Sequence, residues 1–116
     1  MGRIVVGVDG SASSKEALRW AADEAERRGD ALEVVLVWDN PYRDMWLPSN
    51  PPGTDTLAHF RVALRRTLEA ILGEDPPVKV DPVVQEGHPA QVLVDRAKDA
   101  DMLVSGAGAT AGSQVP

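Results

Sequence analysis

Arg3-Ile4-Val5-Val6-Gly7-Val8-Asp9-Gly10-Ser11 is the stretch on which the fold turns. Residues 3–9 form a β-branched run that is apolar on both faces, as a central strand of a parallel sheet requires. Asp9-Gly10-Ser11 is the turn signal that stops it. Ser13 or Ser14 then caps a helix, since a serine oxygen accepts an orphan amide of the first turn. Ala17, Leu18, Ala21, Ala22 and Ala25 recur at helical spacing and give that helix one face of small residues, suited to lying close to a sheet. Arg27, Arg28 and Gly29 supply a cationic last turn and a glycine stop. Residues 32–38, Leu-Glu-Val-Val-Leu-Val-Trp, read as a second strand. Strand, helix and strand make a βαβ unit, whose crossover is right-handed.

The alternation continues. Asp39 to Gly53 is a long loop holding Pro41, Pro48, Pro51 and Pro52, and loops of ~12–15 residues are usually functional or mobile. Trp38 and Trp46 bracket it, to pack beneath it or to wall a pocket. From Thr54 the helical period returns through Phe60, Leu64, Leu68 and Leu72, and Gly73 with Pro76-Pro77 ends it. Val78 to Gln85 is a third strand, placed at a sheet edge by Pro82. Pro89 sits at the first position of a third helix, where its missing N–H is not needed. Ala90, Leu93, Val94 and Ala97 are that helix's expected buried face. Asp101 to Ser105 is a fourth strand, and Gly106 to Pro116 a glycine-rich tail. The chain therefore reads as one α/β domain over 1–116: an open parallel sheet with helices on both faces, ending on a fourth strand and the glycine-rich tail.

Composition narrows the function. The 116 residues carry 18 acidic against 12 basic side chains, a net charge of −6, which argues against a nucleic-acid partner. There is no cysteine, no signal-peptide pattern and no run of ~20 apolar residues for a membrane span, so a cytoplasmic protein is expected. His59 and His88 share no ligand spacing, and no serine lies in a nucleophile elbow. No P-loop motif is present, and the glycines of the tail lack the helix that a dinucleotide fingerprint needs. Nothing demands an enzyme. In such sheets a ligand sits beyond the carboxyl ends of the strands, where the strand order reverses. Asp9-Gly10-Ser11 and the tail from Gly106 are the two carboxyl ends prepared for one.

Residues 4–11 followed by Ser14, Ala17, Leu18, Trp20 and Ala21 resemble the opening of the universal stress protein family. Residues 35–38, Glu86-Gly87-His88-Pro89-Ala90 and Ala100-Asp101-Met102-Leu103-Val104 match later landmarks of that family in the same order. The resemblance implies a five-stranded parallel sheet in the order 3-2-1-4-5, of which this chain would hold 3-2-1-4, together with homodimers and, in many members, an ATP site. It implies nucleotide contacts at Gly7, Val8, Asp9, Gly10 and Ser11, an adenine contact at the backbone of Val37, and a phosphate loop, G-x2-G-x9-G-[ST], beginning at Gly106. Asp9 would meet the ribose or a magnesium ion carried with ATP. Ala109 stands where the loop's second glycine belongs, and its third would fall past Pro116, as in a C-terminally shortened member or a fragment. The expected function is a stress-response regulatory domain with an incomplete ATP site and no placed general base. The competing expectation is an interaction module that binds no nucleotide and acts by dimerisation or through a partner at a sheet edge. A receiver domain, the third alternative, would need an acidic cluster after the first strand and an aspartate ending the third; Asp9 stands alone and the third strand ends in Gln85-Glu86.

Overall fold

The computed structural model describes residues 2–38, 54–105 and 108–111, with 54–57 and 108–111 as backbone only. Its elements are β1 (Arg3–Val8), α1 (Ala12–Arg28), β2 (Ala31–Trp38), α2 (Thr54–Leu72), β3 (Val80–Glu86), α3 (Pro89–Arg96), β4 (Met102–Ser105) and β5 (Gly108–Ala111). They form one sheet in the order β3-β2-β1-β4-β5. β1 lies between β2 and β4, parallel to both, with Val5 opposite Glu33 and Leu103. The expected 3-2-1-4 order is what the chain adopts.

The β1 run is buried on both faces because helices cover both. Ile4, Val6 and Val8 join Leu32, Val34, Met102 and Val104 beneath α1 and α2. Val5 and Val35 point the other way, toward Val92 of α3 and the following Ala97 and Ala100. Ala17, Ala21 and Ala25 keep α1 close to the sheet, with Leu18 fully buried between them. Gly29 closes α1 at φ 73°, its amide bonded to the carbonyls of Ala25 and Glu26.

Three local expectations are corrected. The cap of α1 is Ser11, whose Oγ accepts from the Ser14 amide at 3.2 Å; Ser14 is instead buried beneath the turn. The inward face of α3 is Val92, Leu93, Arg96 and Ala97, while Ala90 and Val94 are exposed. The helix is rolled so that Arg96 reaches Glu33 on β2. The tail does not leave β4 bare. Residues 108–111 pair antiparallel with it, Leu103 opposite Thr110 and Val104 opposite Ala109. A hairpin partner so near in sequence satisfies β4's free backbone groups with little loop-closure entropy. The segment 39–53, with Trp46, and Gly106 lie outside the described residues.

Pro82 does lie on an edge strand. The Leu32 amide donates to the Lys79 carbonyl at 2.8 Å and the Gly87 amide to the Trp38 carbonyl at 3.0 Å. Odd-numbered residues of β3 therefore address β2, and even-numbered ones, Pro82 among them, address the open margin.

Candidate functional site

The site begins at the turn after β1. Gly10 has φ 86°, a left-handed conformation that disfavours any residue with a Cβ. Around it the chain bonds to itself. The Ser11 amide donates to Asp9 Oδ1 at 2.9 Å, the Asp9 amide to Ser14 Oγ at 3.2 Å, and Ser14 Oγ to the Ser11 carbonyl at 3.0 Å. The Ser11 hydroxyl, then its amide, then Ser14 hold the Asp9 carboxyl below the usual carboxylate range. Asp9 is thus an ionised acceptor, fixed at the mouth of the sheet and exposed.

Beyond this turn lies a cleft of about 360 Å³ at the carboxyl ends of β1, β2 and β4. That is the point where the strand order reverses. Gly7, Val8 and Asp9 form one side, Val35 and Val37 the floor, Pro89 and Leu93 of α3 the opposite wall; Ser13, Ser14 and Ser105 complete the rim. A volume of this size falls in the range of small-molecule sites, where a mostly apolar surface carries a few fixed polar groups. Gly7 lets the wall come near, since a Cβ built on it would stand 2.6 Å from Leu93 Cδ1.

Of the residues singled out in the sequence, Gly7, Val8, Asp9 and Val37 meet in this cleft. Gly10 and Ser11 shape the turn beside it without lining it, and Gly106 lies outside the described residues. Sequence reasoning missed Ser13, Ser14, Val35, Pro89, Leu93 and Ser105 as lining residues. Val35 was within reach, because it precedes Val37 by two on the same strand and so shares its face. A second depression, of about 370 Å³, lies along α2 at Ala58, His59, Val62, Ala63 and Arg66, and no strand residue lines it. Among the described residues no three His, Cys, Asp or Glu side chains form a metal site. A cation brought in by a nucleotide would find the single carboxylate of Asp9, and magnesium commonly takes one or two carboxylates plus phosphate oxygens. None of the helices among the described residues is long and apolar enough to cross a membrane.

The model of the universal stress protein family matches residues 1–115. The chain belongs to that family. Two universal stress proteins of Mycobacterium tuberculosis H37Rv are similar to it: Rv2623 is 34% identical over 103 residues and Rv2624c 32% identical over 109. The matches cover 89% and 91% of this chain but 34% and 37% of those proteins, so the chain spans about a third of the length of these relatives. Among solved structures, a universal stress family protein from Burkholderia pseudomallei is 25% identical with a TM-score of 0.67, the match covering 90% of this chain and 80% of that one. A universal stress protein crystallised in complex with cAMP is 22% identical with a TM-score of 0.65, covering 88% and 69%, and attests the fold. Strand order and sequence thus agree on the universal stress fold.

Proposed function

We propose that this chain is a regulatory universal stress domain that binds an adenine nucleotide in the cleft between β1, β2 and α3, without turning it over. One observation carries the reading: Gly7, Val8, Asp9 and Val37, chosen from sequence for nucleotide contact, line one cleft at the reversal of strand order. The apolar floor at Val35 and Val37 suits a base, and Asp9, an acceptor held ionised, suits ribose hydroxyls or a phosphate-borne magnesium ion. The cAMP complex of a structural neighbour lends support at the level of ligand class. Ala109 in place of the loop's second glycine makes weak ATP binding the expectation. The same reading carries a cytoplasmic setting and association into homo-oligomers.

Calorimetry with Mg-ATP, AMP and cAMP tests it. The expected result is saturable binding of at least one of them, weakened by Asp9→Ala. No heat from any of the three at millimolar ligand would overturn the reading. It would favour the second, an interaction module without nucleotide. A specific observation speaks for that module: residues 108–111, which the family pattern assigns to the phosphate loop, are paired along β4.

A further inference from the structure

The face of the sheet beneath α3 contains a buried charge, Glu33, that does not line the cleft. Glu33, Val35 and Val37 alternate onto that face of β2, and the Glu33 side chain is 5% exposed. An aliphatic residue there would bury the same area without desolvating a carboxylate. Two arginines converge on it instead, and one of them is tied in turn to Gln85. Arg96 Nε donates to Glu33 Oε2 at 2.6 Å, Arg96 Nη1 to Gln85 Oε1 at 2.9 Å, and Arg3 Nη1 stands 3.6 Å from Glu33 Oε1. Arg3 Nη2 also donates to the Arg96 carbonyl at 2.9 Å, satisfying one of the carbonyls that a helix end leaves free.

α3 needs such an anchor. It has eight residues, its N-cap His88 makes no side-chain cap bond, and a helix of two turns is marginal on its own. Leu93, which walls the cleft, lies one turn before Arg96 on the same face. Gln85 sits opposite Val37, which floors it. We infer that Arg96, Glu33 and Gln85 are positioning residues, a polar clamp that fixes α3 over the sheet and so sets the cleft's shape for its ligand. The inference rests on the nucleotide reading above.

The test compares stability with affinity on the full chain, using Mg-ATP and cAMP as probes in calorimetry and Tm as the control. In the double variant Glu33→Leu/Arg96→Leu the clamp is exchanged for apolar contacts, a change that buried ion pairs often tolerate in stability. The expected result is a Tm close to wild type with affinity reduced roughly tenfold or more, since small misplacements of a site wall are felt strongly. Arg96→Lys, which keeps the charge and loses the fork, should fall between, and Gln85→Leu should show a smaller loss in the same direction. A folded double variant that binds like wild type overturns the inference. Should the double variant not fold, wild-type affinity in both Arg96→Lys and Gln85→Leu overturns it. Absence of binding by the wild-type chain is a separate result, seen before any substitution, and removes the nucleotide reading and this inference together.

Discussion

The two faces of the sheet are built to different rules. Beneath α1 and α2 the core is apolar: Ile4, Val6, Val8, Leu18, Leu32 and Val34 share one cluster with Met102, and Trp38 of β2 meets the ring of Phe60 on α2. Beneath α3 a smaller apolar set, Val5, Val35, Val92, Ala97 and Ala100, adjoins a buried carboxylate, two arginines and an open cleft. The first face stabilises the domain by removing area from water and needs only volume and patterning. The second gives up part of that burial for groups whose value lies in where they point. The contrast teaches that one strand, β1, can serve both purposes, because alternate residues along it face opposite layers.

The contrast can be broken by measurement. Leu18→Ala, which leaves a cavity on the apolar face, should destabilise the chain by about 2–5 kcal/mol, read as a shifted denaturant midpoint with an unchanged slope. Glu33→Gln removes the charge that two arginines share. Arg3 and Arg96 are 39% and 32% exposed and water will screen them, so the expected loss is smaller, about 1–2 kcal/mol. A loss equal to that of Leu18→Ala would mean that the polar face carries stability as the apolar one does. Ser11→Ala, which removes the cap of α1 at the cleft side, should lose about 1 kcal/mol in the same unfolding experiment.

The smallest effect concerns acid. The Arg28 guanidinium beside Glu24, with Arg27 adding to it, holds that carboxyl below its ordinary value, as Ser11 does for Asp9. A carboxyl with a depressed folded pKa contributes stability that is fully present above the unfolded carboxylate range, near pH ~4, and is lost as pH falls through the folded value. Tm measured from neutral pH downward should therefore decline more gently below that range in Asp9→Asn and in Glu24→Gln than in wild type. An unchanged slope in both variants would show that neither carboxyl is shifted by its neighbours.

Much of this was legible in the sequence, and the exceptions have physical causes. The run at residues 4–8, the turn at Gly10, the proline that opens α3 and the edge position of Pro82 are local signals, each set by backbone chemistry within a few residues. The cap was misplaced because Ser11, Ser13 and Ser14 are equivalent to a pattern; only the tertiary turn decides which faces the amides and which is buried. The roll of α3 is set by Glu33, 63 residues before its partner Arg96. No periodicity within residues 89–97 contains that information. β5 escaped notice because Gly-Ala-Thr-Ala has weak strand preference, and its conformation comes from the β4 margin it pairs with. Four of the ten residues lining the cleft, Gly7, Val8, Asp9 and Val37, were named from the sequence, on β1, its turn and β2. The α3 wall was not, since its lining depends on the same long-range ion pair.

Pro82 has a consequence for polymerisation. Strand addition at the β3 margin meets a residue with no N–H to donate, halfway along the strand and turned outward. Runaway growth by sheet extension requires two competent margins per molecule, one to receive and one to offer, as any head-to-tail contact does. With one margin blunted, association through the other consumes it on both partners at once. A sheet so built is biased toward closing into a pair over continuing into a fibre.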